Sequence, residues 1–169
     1  MIGLKRIFPE CDADTLLVQL IHQRGLPVHC KGIHKVANSL ERFTNNTQFV
    51  IGLIDNDKMK NQPTFIRKFK VLEENAEQQL TILHLPETEK YIARLNPAFE
   101  KLILSAAEVC NIQRAQYGFD SFEKFRNAAK DEGVYDNKNF KKFINAVIEA
   151  NPPAIQTLRY WLNKANNEN

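Results

Sequence analysis

The stretch FVIGLIDNDK, residues 49–58, decides how this chain is read. A run of β-branched and apolar residues, one strand long, ends abruptly at Asp55 and Asp57, one residue apart. A strand with no polar position along its length has both faces covered, as in a parallel sheet with helices on either side. Open sheets of that kind bind ligands at the carboxyl ends of their strands. Hard cations want oxygen ligands, and Mg²⁺ is usually held by one or two carboxylates plus water and phosphate. The motif therefore points to phosphate chemistry. DNDK is equally a good turn after any buried strand, because Asp and Asn side chains bond nearby backbone, so the motif alone leaves both readings open.

A second acidic site at the other end of a βαβ pattern adds to it. Residues 2–8 read as a first strand and run into Pro9-Glu10-Cys11-Asp12-Ala13-Asp14; residues 15–24 then have helical spacing, with Leu16, Leu17, Leu20 and Ile21 as the apolar stripe. Pro9 has no N–H for a ladder and tends to end a strand. Asp12 or Asp14 serves as helix cap and favours the positive end of the dipole. Glu10 has no such duty. In a parallel sheet Glu10 and Asp55 leave neighbouring or near-neighbouring strands at the same edge, so a general acid/base and a metal-binding pair could converge in one cleft.

A glutamate after the first strand, a helix, a second strand, a helix and a strand ending Asp-x-Asp resembles the Toprim domain of topoisomerases, bacterial-type primases and overcoming-lysogenization-defect nucleases. The run Glu10-Cys11-Asp12-Ala13-Asp14 is similar to the Glu-Gly-x-x-Asp form of small Toprim-like proteins, with Cys11 in place of the usual glycine. Glu10 falls on the family's glutamate, and Asp55 and Asp57 on its metal-binding aspartates; Lys58 follows where the larger enzymes often carry small residues. The resemblance covers roughly residues 1–95. It implies Mg²⁺ or Mn²⁺ held by Asp55, Asp57 and Glu10, with Glu10 as general acid/base, Asp14 orienting it, and a nucleic-acid phosphodiester, DNA or RNA, as substrate.

Composition sets bounds. At 169 residues the chain fits one domain, and apolar and charged fractions of 43% and 25% are those of a globular protein. The sequence has no long apolar run and no signal-peptide core, so neither a membrane span nor export is expected. Three cysteines, Cys11, Cys30 and Cys110, without metal-site spacing, read as reduced thiols of a cytoplasmic protein. A net charge of +3 is compatible with nucleic acid without being diagnostic of it.

Further along, 28–33 reads as a second strand, 34–45 as a second helix, 65–72 as a partly alternating segment, and 80–85 as the last strand. Alternating strands and helices imply right-handed crossovers and a mostly parallel sheet. From Pro97 the pattern becomes helical: 98–109, 121–129, 139–150 and 155–164 each carry an amphipathic stripe. The expected architecture is α/β, with a Toprim-like core over 1–96 and a helical C-terminal extension over 97–169 packed on it, as one structural domain.

Other chemistries are weaker. The six glycines form neither a Walker pattern nor a dinucleotide fingerprint. His29, Cys30 and His34 lack a fourth zinc ligand, and strand alternation would separate the first two. His34 and His84 are each placed where they could reach the cleft. Lys58, Lys60, Arg67, Lys68 and Lys70 follow the acidic pair, interleaved with Phe65 and Phe69, and are the candidate phosphate-binding cluster. The basic residues of 124–133 and 138–142 read as ordinary mixed-sign surface. The expected function is metal-dependent phosphodiester chemistry of nuclease or nicking type. The alternative is a catalytically inactive Toprim-like binding or regulatory module, of the kind found in phage defence or mobile elements, with a protein partner. A receiver-like phosphoryl-transfer protein ranks behind both.

Overall fold

A computed structural model of the protein describes residues 5–23, 27–56 and 61–165. In chain order these residues form β1 (Ile7–Pro9), α1 (Asp12–His22), α2 (Ile33–Arg42), β2 (Val50–Asp55), β3 (Lys70–Asn75), β4 (Leu80–Leu85), β5 (Lys90–Leu95), α3 (Phe99–Val109), α4 (Phe122–Lys130), α5 (Lys138–Ala150) and α6 (Pro153–Lys164), with short 3₁₀ turns at Ile66–Lys68 and Arg114–Tyr117. The five strands make one sheet of order β1-β2-β5-β4-β3. β2 is parallel to β1 and to β5, whereas β4 is antiparallel to both its neighbours.

The alternation of β2 explains the layers. Val50 and Ile54 pack with Val36, Ala37 and Leu40 of α2 on one face. Ile51 and Leu53 join α1 and α3–α6 in the larger core on the other. A fully apolar strand is what two covered faces demand. Gly52 lets α2 approach closely, since a β-carbon there would sit 2.7 Å from Val36 Cγ1 and 3.2 Å from Leu40 Cδ1. Val36 is stiff at χ1 within a helix and cannot swing aside. Gly52→Ala is therefore expected to destabilise the fold by about 1–3 kcal/mol through overpacking, measured by urea unfolding.

Several expected elements differ in the structure. The run expected as a second strand, 28–33, is not a regular strand. It lies extended beside β1, with Val28 and Cys30 N–H donating to the Ile7 and Pro9 carbonyls at 3.1 and 2.9 Å. Pro27 brings no donor, and Gly32 at φ +100° turns the chain into α2, so the pairing stays short. β4 is not the last strand, and the sheet is mixed rather than mostly parallel. The chain turns back after Leu85 through a tight loop with Glu87 at φ +62° and forms β5, which inserts between β4 and β2. The helical half shares the larger core with β1, β2, β4, β5 and α1. At its centre Phe125 stacks on Phe140 with ring centres 5.3 Å apart.

Candidate functional site

β1 and β2 pair in parallel, with Pro9 opposite Leu53, so the residues that leave them emerge at one edge. Glu10 is held there by backbone and side chain together. Its N–H donates to the Leu53 carbonyl at 2.9 Å, and its Oε2 accepts the Asp55 N–H at 3.2 Å. Asp55 in turn accepts the Phe99 N–H on Oδ1 at 2.9 Å, which ties the end of β2 to the first turn of α3. That contact satisfies one of the orphan donors of a helix start and places a carboxylate at the positive end of a dipole. Glu10 is 5% exposed.

Asp14 completes the cluster from below. It lies in the first turn of α1 with no exposed surface, and neither carboxylate oxygen has a hydrogen-bond partner among the described residues. Its expected role as a cap is taken by Cys11, whose Sγ accepts the Asp14 N–H at 3.4 Å. Burial pushes the Asp14 carboxyl well above the usual carboxylate range; the charge of Asp55 adds to this, Cys11 comes next and opposes it, and the charge of Glu10 adds a smaller share. Burial, with Asp14 beside it, raises Cys11 too. It remains a protonated thiol and is no nucleophile.

Asp57, Lys58 and Lys60 lie outside the described residues. Arg67, Lys68 and Lys70 are not brought to the acids. Lys70 pairs with His84, which pairs with Tyr91, four residues of β5 before the Leu95 that faces Asp55. That is roughly 13 Å along the strand direction, with three strand spacings to cross as well. Lys68 stays at that far end, its Nζ over the Phe65 ring at 5.5 Å, and Arg67 Nε donates to the Gln62 carbonyl at 3.2 Å. Closeness in sequence misleads here, because the chain travels the length of the sheet between Asp55 and β3. His84 sits at the same far edge, bonded to the Thr88 carbonyl at 2.7 Å. His34 does line a small recess with Glu10, Lys31 and Asn61. His29 pairs with Asp12 at 3.2 Å, and the Cys30 thiol lies 3.5 Å from the Ser39 hydroxyl, so neither is set for zinc.

What the sequence reading missed is a cleft that opens beside Asp55, whereas Glu10 faces the small recess with His34. The cleft has a volume of about 1010 Å³ and runs from Cys11, Asp55 and Asn56 across to α3 and α4. Arg94, near the end of β5, lines it, as do Lys101, Phe122, Arg126 and Lys130 from the helical half. Arg126 and Lys130 are one turn apart on a single helix face, a spacing visible in the sequence. That this face looks onto the acidic edge depends on the packing of α4 and is not visible there. Comparison of the chain with protein-family models, curated proteins and solved structures returns no match.

Proposed function

We propose that this chain is a Toprim-like protein that carries out Mg²⁺- or Mn²⁺-dependent phosphodiester chemistry on nucleic acid, of nuclease or nicking type. The observation that carries the reading is the convergence of Glu10, Asp14 and Asp55 at the carboxyl edge of two parallel strands, with the buried Asp14 carboxyl left without a hydrogen-bond partner. Buried carboxyls are normally hydrogen-bonded or close to a compensating charge. A cation held by Asp55 and Glu10 would offset the repulsion that raises Asp14. The order Glu10, α1, α2 and β2 ending at Asp55 follows the resemblance, with an extended run beside β1 where the resemblance implies a second strand.

Asp55, Asp57 and Glu10 would hold the ion. Among the described residues no three His, Cys, Asp or Glu side chains are grouped to do so, so Asp57 is required to complete the set. Once bound, a divalent ion supplies charge neutralisation at the transferring phosphate. The chain's own residues hold the geometry. The Asp55 N–H fixes the Glu10 carboxylate, and the Phe99 N–H fixes Asp55. Glu10 is thereby positioned to exchange a proton with the attacking or leaving oxygen, and Asp14 supports the arrangement from beneath. The alternative, a binding module that has lost catalysis, is favoured by the missing third ligand among the described residues and keeps the same cleft.

Ion binding is tested by thermal unfolding. At a Mn²⁺ concentration tenfold above its Kd the folded state gains about 1.4 kcal/mol, a rise of about 3–5 °C for a chain of this size. The rise is expected in the parent and absent in Asp55→Asn. An equal rise in both proteins places the ion elsewhere.

A further inference from the structure

We infer that the cleft beside Asp55 is a binding site for single-stranded nucleic acid, with Phe122 as the platform on which one base stacks. This rests on the phosphodiester reading for the identity of the reacting edge and adds the form of the substrate. Phe122 opens α4, lines the cleft and is 37% exposed. Lys101 Nζ lies over the ring at 5.0 Å. Arg126 and Lys130 follow on the same wall, and among the described residues neither has an ion-pair partner. Arg94 lines the cleft from the sheet, and its Nε is buried without a hydrogen-bond partner.

The arrangement has two poles. Asp55 stands at the end of β2, while Lys101, Arg126 and Lys130 share the helical wall with Phe122; Glu74 and Glu100 line the cleft as well. A nucleotide chain has the matching composition, with anionic phosphate at each step and a planar base between. Cationic grooves carrying exposed aromatics are how single strands are bound, since every base offers a π-face and every linkage a charge. A base in a duplex is already stacked on both sides and reaches Phe122 only if unstacked, at a cost of a few kcal/mol. A cleft of about 1010 Å³ lies at the top of the range of about 300–1,000 Å³ for small-molecule sites. It is wide enough for a flexible strand and leaves the phosphate next to the base within reach of Arg126 and of the acidic edge.

The experiment measures binding of the intact protein to fluorescently labelled oligo-dT, oligo-U and a DNA duplex by anisotropy, in EDTA so that no ion or cleavage contributes. The parent is expected to bind both single strands more tightly than the duplex, and the dT/U ratio shows which sugar is preferred. Phe122→Ala is expected to weaken single-strand binding by about 5- to 100-fold, whereas Phe122→Trp retains it. Both variants should keep the parent's far-UV circular dichroism, since the ring is partly exposed. Arg126→Glu with Lys130→Glu should weaken binding and lower its salt dependence by about 0.7 per lost phosphate contact. A parent that binds neither single strand, a duplex bound as tightly as they are, or an unchanged affinity in Phe122→Ala would each overturn the inference. Intact binding without cleavage in any divalent ion overturns the phosphodiester reading and leaves this one standing.

Discussion

If the chain carries out the proposed phosphodiester chemistry, Asp55→Asn is expected to lower divalent-dependent cleavage of supercoiled plasmid and of single-stranded oligonucleotides by about 10²- to 10³-fold, while unfolding within a few degrees of the parent. The size follows from the several kcal/mol that a metal ion contributes to transition-state charge stabilisation, at 1.36 kcal/mol for each factor of ten. The near-neutral stability follows from the contacts. Asp55 receives the Phe99 N–H on Oδ1, and an Asn side-chain carbonyl can receive that donor as well. Glu10→Gln has the same logic: the amide oxygen still accepts the Asp55 N–H, but the group no longer takes up a proton or bears a charge at neutral pH. Asp57→Asn is expected to fall with them. The three losses should not sum, because the residues act as one unit. If the purified parent binds nucleic acid and cleaves none with Mg²⁺, Mn²⁺ or other divalent ions, the module reading takes the place of the catalytic one.

The acidic edge was legible because its two halves obey local rules. An apolar strand closing on an acid could be read at Asp55, and a strand exit with an idle acid could be read at Glu10. Parallel pairing of the two strands does the rest. β5 was not legible because Lys90 and Arg94 interrupt its apolar pattern. Lys90 is nonetheless 5% exposed and its ammonium is pushed down by burial. The tertiary fold overrides the local signal there, as it commonly does for strand propensity. In sequence, the candidate phosphate-binding cations stand next to Asp57. The structure supplies cations to the cleft from β5, α3 and α4, 39–75 positions away from Asp55. Which helix face looks onto which strand end is set by core packing around Phe125 and Phe140, and no short window of sequence contains it. Asp14 fell between the two cases. It was read at the right helix start, but its burial and lack of partners, which give it chemical meaning, belong to the folded state.

Asp14 gives the acidic edge a pH signature that the metal-free protein should show in EDTA. Its carboxyl is raised in the folded state, by burial first and then by Asp55 and Glu10, whereas in the unfolded chain it returns to the ordinary value of about 3.9. Between those two values the folded state binds a proton that the unfolded state has released, so stability falls as pH rises. The contribution is complete below about pH 4 and is lost progressively as pH climbs through the raised value, at about 1.4 kcal/mol for each pH unit. Asn at position 14 cannot ionise, so Asp14→Asn should remove this slope. Measured by urea unfolding as pH is raised from about 4, the variant is expected to gain stability relative to the parent until the raised carboxyl has titrated. A parallel pair of curves would show that the Asp14 carboxyl titrates alike in both states and that its burial is without electrostatic consequence. With saturating Mn²⁺ the parent's own slope should flatten, because a cation at Asp55 favours the ionised form of the neighbouring carboxyl. An unchanged slope in Mn²⁺ would place the ion away from the edge that Glu10, Asp14 and Asp55 share.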